Sequence, residues 1–199
     1  GDFLLMHVLS EQSREHLMMR TTECWDDGRS SIQKKIQQAR NLHSVWGDRL
    51  RRDPFIRDLL IRLEKSLKTS REAMLSHGII DACRQCDEDE GGSCCGAGLE
   101  NKFDTLLLLV NLLLGVSLPD YHRRRDSCYL LTKKGCMLKA RLVLCVDFLC
   151  PKIIQALRHD ELIRLQQISG EELVTCFMLY DAIKKFMRKS TRTNEVGKI

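Results

Sequence analysis

Between Cys83 and Pro151 the chain reads CRQCDEDEGGSCCGAG, then KFDTLLLLVNLLLG, then SCYLLTKKGC, then LCVDFLCP. Eight of the ten cysteines fall in this stretch: Cys83, Cys86, Cys94, Cys95, Cys128, Cys136, Cys145 and Cys150. Thiolates are the soft ligands that zinc and iron–sulfur clusters take, so these eight are the candidate metal ligands. Cys83-x-x-Cys86 has the usual chelating spacing. Cys94-Cys95 is different, because neighbouring side chains diverge and a vicinal pair does not easily serve one tetrahedral ion. One of the two can ligate while the other bridges, serves a second metal or stays free. Gly96 and Gly98 let backbone N–H groups turn toward sulfur, which stabilises thiolates and raises a cluster's reduction potential.

Cys150-Pro151 points toward iron, since a Cys-Pro step closes many bacterial ferredoxin runs. It also puts Cys150 ahead of a helix N-terminus, where the dipole favours the thiolate. The C-x₂-C-x₂-C run of those ferredoxins is absent, because seven residues separate Cys86 from Cys94. An iron–sulfur cluster is therefore the first reading of the cofactor and zinc the alternative. Eight sulfurs fill two Cys₄ zinc sites as well as one cluster with thiols to spare. Reduced thiols without metal, or a disulfide framework, are the remaining alternatives. Cys24 and Cys176 lie in amphipathic patterns and read as small core residues.

Other chemistry is poorly supported. The sequence has no Walker A, G-x-G-x-x-G, H-E-x-x-H or G-x-S-x-G motif. His122 with Cys95 or Cys128 is a conceivable nucleophile pair that lacks an orienting third group. Asp87 to Glu90 read as a solvated acidic run, and His43 as a hydrogen-bonded core histidine rather than a ligand. No catalytic residue is assigned, and the balance is against a stand-alone enzyme.

The elements that must position these thiols read as helices. A chain of 199 residues with 30% charged and 6% aromatic residues and three prolines suits one helical domain, residues 1–199, with its own core. Residues 3–26 read as a first helix, broken at Asp26-Asp27-Gly28. Ser30-x-x-Gln33 reads as a capping box before Ile32, Ile36, Ala39 and Trp46. Asp53-Pro54 opens a helix with Ile56, Leu59, Leu63, Leu67 and Met74 that ends near His77-Gly78. Residues 84–98, rich in glycine and acids, read as loop. Phe103 to Leu114 is apolar nearly all round and reads as a buried helix ended by Gly115. Residues 138–148 read as helical, Pro151 opens another helix through Ile168, and Ser169-x-x-Glu172 caps the last one. No strand pattern is convincing. The expectation is an all-α, irregular helical bundle in which residues 83–151 form a cysteine-rich metal-binding insertion.

Charge adds little. Residues 81–100 sum to −5 and residues 101–152 to +5, a weak mutual attraction that salt screens. The basic face Arg57, Arg62, Lys65, Lys68 and Arg71, with the loop His122–Arg125, gives weak support for a nucleic-acid surface, and a solvated face is the default. The apolar run Leu106 to Leu114 is too short to span a bilayer and Asn111 interrupts it, so no membrane association is expected. With no secretory pattern at residues 2–9, the reading is a cytoplasmic protein, where clustered cysteines serve as metal ligands or redox thiols.

The order CxxC…CC, a leucine-rich helix ending in LG, then C-x-L-L-x₃-G-C-x-L-x₂-R-x₃-C resembles the zinc- or iron-chelating cysteine-cluster family of the CxxCxxCC type. Cys83, Cys86, Cys94 and Cys95 match its first block, and Cys128, Cys136, Arg141 and Cys145 its second. The likeness covers residues 83–151 and departs from the family in the seven residues between Cys86 and Cys94. It also lacks the Tyr-x-x-Arg-Pro usual before the last cysteine. The family includes a domain of flagellin lysine-N-methylases, which the resemblance would associate with an iron–sulfur cluster. Three functions follow: an iron–sulfur protein for electron transfer or redox sensing with a protein or redox partner, a zinc-stabilised interaction module that binds protein or nucleic acid, or the cluster-bearing part of a protein-modifying enzyme.

Overall fold

The structure, a computed structural model, describes residues 31–89, 94–122 and 125–196, without the side chains of 87–89 and 191–196. It is mostly helical. The expected helix over 3–26, Ser30 of the expected capping box, Cys24, and Arg123-Arg124 of the basic loop lie outside the described residues.

Helix α1 (Ile32–Arg52) buries Ile32, Ile36, Ala39, Leu42, Trp46 and Leu50, one stripe at three- and four-residue spacing. Its N-cap is Ser31, which makes no side-chain capping bond. Asp53 ends α1 and starts α2 (Pro54–Ser76). Its Oδ1 accepts the Ile56 N–H at 2.9 Å, and Pro54 supplies a first turn that needs no donor. Helix α2 buries Ile56, Leu59, Leu63, Leu67 and Met74 and stops where Gly78 takes φ +67°.

The expected loop from residue 84 is instead helix. α3 (Ile79–Asp89) carries both Cys83 and Cys86. The acids suggested a solvated loop, yet no glycine or proline falls between Ile79 and Asp89, and Ala, Arg, Gln and Glu are good helix formers.

A 3₁₀ turn (Leu99–Lys102) leads into α4 (Thr105–Leu113). Lys35, 1% exposed, donates from Nζ to the carbonyls of Asn101 at 2.9 Å and Phe103 at 3.0 Å, which ties that turn to α1. Asp104 caps α4 through the Leu107 N–H at 2.8 Å, and its other oxygen accepts the Tyr180 hydroxyl at 2.7 Å. As its all-round apolar sequence predicts, α4 is buried, packed chiefly on α1.

Asn111 is the polar residue in the middle of α4, and it is 0% exposed. Its Nδ2 donates to Leu107 O at 2.9 Å and Ala140 O at 2.8 Å. Its Oδ1 accepts the N–H groups of Lys139 at 2.9 Å and Ala140 at 3.1 Å. The amide thus holds the chain just before Arg141 against the buried helix. Residues 138–148 are not one helix as expected: the Ala140 carbonyl, which such a helix would give to the Leu144 N–H, accepts the Asn111 amide, and only α5 (Val143–Asp147) is helical.

A small hairpin was not foreseen. β1 (Leu131–Thr132) pairs antiparallel with β2 (Gly135–Cys136), Leu131 opposite Cys136. Gly135 at φ +92° makes the turn possible. Helix α6 (Pro151–Ala156) is short, and the chain is extended at Leu157 before α7 (His159–Val196). Ser169 does not cap a helix as its pattern suggests. It lies inside α7, and its hydroxyl donates to the Leu165 carbonyl at 2.9 Å. The cap operates earlier, where Glu161 accepts the Arg158 N–H at 2.9 Å.

The core has two parts. The larger joins α1, α2, α4, the hairpin and the C-terminal half of α7, including Leu179, Ile183 and Met187. The smaller gathers Met74, Ile79, Val146, Ile153 and Leu165 around the far end of α2.

Replacing Asn111 by Ala leaves the buried Ala140 N–H and carbonyl and the part-buried Lys139 N–H without their partner. At about 1–3 kcal/mol per unsatisfied group, the variant should lose about 3 kcal/mol or more, read as a lowered urea midpoint.

Candidate metal centre

Helical spacing puts Cys83 and Cys86 on one face of α3, three residues apart. Cys94 and Cys95 occupy the turn before the 3₁₀ helix, Cys128 precedes the hairpin, and Cys136 lies on β2. Cys145 is in α5, and Cys150 is the N-cap of α6. All eight are free thiols, with Cys128 buried, Cys83 and Cys94 exposed and the rest half-buried. No disulfide joins the described cysteines.

Backbone pairing joins the two cysteine blocks. The Cys128 N–H donates to the Cys95 carbonyl at 2.7 Å, and Gly96 bridges to Ser127. Beneath them Glu100, 7% exposed, accepts the Gly98 N–H at 3.0 Å and the Tyr129 N–H at 3.3 Å. One carboxylate thus fastens the turn after the vicinal pair to the chain after Cys128. Gly98, at φ +94°, aims its N–H at Glu100 rather than toward sulfur. Hydrogen bonds to sulfur come from elsewhere. Backbone Leu130 bonds to Cys128 and backbone Leu138 to Cys136, each two residues past its thiol. Two equivalent turns so present their sulfurs to N–H donors, an arrangement that favours thiolate.

Burial is the main influence on every perturbed thiol. It pushes Cys95 up to about 12, helped by the charges of Cys136, Cys145 and Cys128, then Cys83. Cys128 is likewise raised to about 12 by burial, opposed by the Leu130 hydrogen bond, with Cys136, Glu100 and Cys145 adding to the rise. Cys83 is raised by burial, then by Cys150, Cys94 and Cys86. Cys94 is raised by burial, then by Cys150, with Cys86 a smaller effect. Burial also raises Cys136 and Cys145. The opposing cation is Arg141, whose charge lowers Cys83, Cys136 and Cys145, joined at Cys136 by Arg71.

Arg141 is held from behind. Its side chain is 21% exposed, 3.6 Å from Met74 Sδ and 4.0 Å from the carboxylate of Glu172. Glu172 is 2% exposed, and burial raises its carboxyl above the ordinary range, opposed by Ser70 and Arg141. Arg141 was marked by the motif. Glu100 and Glu172 were not, because each acid sits in a pattern that reads as turn or helix cap.

Among the described residues, no group of three or more Cys, His, Asp or Glu side chains stands close enough to hold a metal ion. The thiols are neighbours that have not converged. His122 is not aimed at a thiol: its Nε2 meets the Ser127 carbonyl at 2.8 Å and its ring lies on Tyr129. His43 is half-buried, its Nε2 makes none of the expected hydrogen bonds, and burial with Arg51 lowers its pKa. Cys176 packs on the larger core with its thiol raised by burial to about 11, as a core cysteine should.

An open apolar cleft of about 490 Å³ runs along α5, α6 and the start of α7, lined by Val143, Phe148, Ile154 and Leu162. No cysteine lines it.

Two expectations follow. Replacing Glu100 by Ala should cost about 2 kcal/mol or more by orphaning two N–H groups, measured as a shift in urea midpoint. In the metal-free protein, folded thiols at about 12 lie above the ordinary 9.0. That stabilisation is complete below pH 9 and is lost as pH rises toward 12. Thermal unfolding of metal-free protein should therefore fall in temperature from pH 8 to about pH 11, and a flat profile would contradict the burial of these thiols.

No helix among the described residues is long and apolar enough to cross a membrane. Compared with protein-family models, curated proteins and solved structures, the chain matches none.

Proposed function

We propose that this chain is a cysteine-ligated metal-binding protein, with an iron–sulfur cluster as cofactor and an electron-transfer or redox-sensing role. The observation that carries the reading is the neighbourhood of eight free thiols, brought from distant parts of the chain to where they feel one another's charge. Desolvated thiols with like neighbours strongly prefer to stay protonated. A cation bound there must displace their protons, so binding would strengthen as pH rises, and the cation's charge would offset the repulsion among the thiolates. Arg141 and Arg71 offset the negative charge that remains.

In this reading residues 83–151 are the metal-binding insertion of a helical bundle. The motif likeness to the cysteine-cluster family and the Cys150-Pro151 step favour iron. N–H groups bonded to Cys128 and Cys136 suit a cluster, whose potential they would raise. A partner protein is favoured by the apolar residues next to the thiols. Val143, Leu144, Phe148 and Ile154 are 45–62% exposed, and they flank Cys145 and Cys150. A redox partner docking there would come close to both sulfurs. Nucleic acid is less favoured, because the exposed face of α2 mixes its cations with Asp58, Glu64 and Glu72.

Zinc is the second reading, favoured by the paired Cys-x-Leu turns at Cys128 and Cys136, which would serve a structural zinc site equally. Analysis of iron, zinc and acid-labile sulfide in protein purified without air separates the two. Iron with sulfide and an electron paramagnetic resonance signal after dithionite is expected. Stoichiometric zinc without iron replaces the cluster by a zinc-stabilised module.

A further inference from the structure

We propose that residues 3–26, which lie outside the described residues, dock as a helix on the exposed apolar side of α7, beside Ile163, Gly170, Val174, Phe177 and Met178. The proposal goes beyond the metal-binding reading and does not rest on it, since none of the eight clustered cysteines takes part.

That side of α7 changes character along its length. Ile163, Val174, Phe177 and Met178 are 38–71% exposed. At about 100° per residue they share one stripe of the helix with Gln167 and Gly170. Gln167 is the polar side chain among them. A Cβ at Gly170 would meet nothing within 4 Å, so another chain can come close there. One turn beyond Phe177 the same stripe carries Asp181 and Lys185, paired at 2.7 Å. A helix face made for water is polar throughout. This one is polar from Asp181 onward and apolar before it, the mark of a face that something covers.

The chain that precedes α1 is placed to cover it. Lys35 holds the Phe103 carbonyl at 3.0 Å, and Asp104 beside it holds the Tyr180 hydroxyl at 2.7 Å. Further along, Trp46 meets Phe186 with ring centroids 6.3 Å apart. The two helices therefore run the same way, and α1 begins near the level of Tyr180, where the stripe turns from apolar to charged. Helix α7 extends about 30 Å back from there to His159, at about 1.5 Å per residue. The chain leaving Ser31 toward its N-terminus starts at that boundary. From Trp25 to Ser31 it spans at most about 20 Å.

The pattern of the segment suits the stripe. Leu17 and Met18 are followed seven residues later by Cys24 and Trp25, two helical turns on, and Ile163, Gly170 and Phe177 are seven apart as well. As helix, Leu9 to Trp25 is about 24 Å long and Ile163 to Met178 about 22 Å. With Trp25 at the Phe177 and Met178 end, Leu17 and Met18 come level with Gly170. The segment then ends where α1 begins, and Asp26-Asp27-Gly28 makes the joint.

A photo-crosslinker tests the contact directly. In the full chain, Phe177→benzoylphenylalanine is irradiated at low protein concentration and the linked peptide is mapped by mass spectrometry. A link to residues 3–26 of the same chain is expected. A link to a second chain, or to no part of residues 3–26, overturns the proposal. Trp25 reads the same contact without a reactive group. Trp46, the other tryptophan, is 0% exposed, so subtracting the fluorescence of Trp25→Phe from that of the wild type isolates Trp25. Its emission should be blue, shielded from iodide and unchanged on dilution. Phe177→Asp should shift it to the red and open it to iodide. Phe148→Asp, in the apolar cleft along α5 and α6, should leave it unmoved. Red emission in the wild type, or blue emission lost on dilution, overturns the proposal and needs no variant to fold. So does an emission that follows Phe148→Asp, or one that ignores Phe177→Asp while helicity is kept.

Discussion

The buried amide of Asn111 is the interaction on which the rest of the site depends. Helix α4 has apolar side chains on nearly every side, so it drives itself into the centre of the bundle, chiefly against α1. Such a helix offers the irregular chain beside it few polar handles: the Asn111 side chain within it and the Leu114 carbonyl at its end, which Lys139 Nζ meets at 2.8 Å. The carboxamide has two donors and an acceptor with two lone pairs, and all four bonds are made. A buried polar group that is fully satisfied is stabilising and specific, and it is costly when half-satisfied. That asymmetry makes residues 139–140 follow α4, and with them Cys136 on one side and Arg141 and Cys145 on the other.

Two carboxylates play supporting parts of different kinds. Glu100 is a fastener, accepting N–H groups from both cysteine blocks, so its negative charge is spent on backbone dipoles. That same charge stands near Cys128 and disfavours its thiolate. Glu172 lies behind Arg141, and burial favours its neutral form. Ser70 and Arg141 oppose that rise, so the guanidinium stands between a buried carboxyl on one side and the thiols of Cys83, Cys136 and Cys145 on the other.

How much of this was legible in the sequence varies with the physics of each element. Asp53-Pro54 announced α2 because capping is local chemistry, and the all-round apolarity of 103–114 announced a buried helix because burial leaves a compositional trace. The eight cysteines announced themselves by type. Residues 84–89 misled, since charge was taken as a sign of loop where the absence of breakers mattered more. Ser169-x-x-Glu172 misled for the opposite reason: a local pattern that fits a cap was overruled by a helix already running from His159. The hairpin at 131–136 is too short for any alternation to be read, and it exists because Gly135 and Thr132 close its turn. Glu100, Asn111 and Glu172 act through partners dozens of residues away, so nothing adjacent in the sequence marks them.

The shared cap at Asp53 has a bearing on how the chain tolerates change in length. One residue separates α1 from α2, and it belongs to both. A corner with no slack transmits register: one residue added there would turn α2 by about 100° about its axis, since a helix has about 3.6 residues per turn. Ile56, Leu59 and Leu63 would swing off the core, and the error would travel up the helix to Arg71 and Met74 beside the thiols. Exposed side chains near this corner, Arg52 and Arg57, can be exchanged with modest effect, whereas its length is fixed by the register of Ile56, Leu59 and Leu63. An insertion at 53 would therefore disturb the surroundings of the clustered thiols without changing a single cysteine.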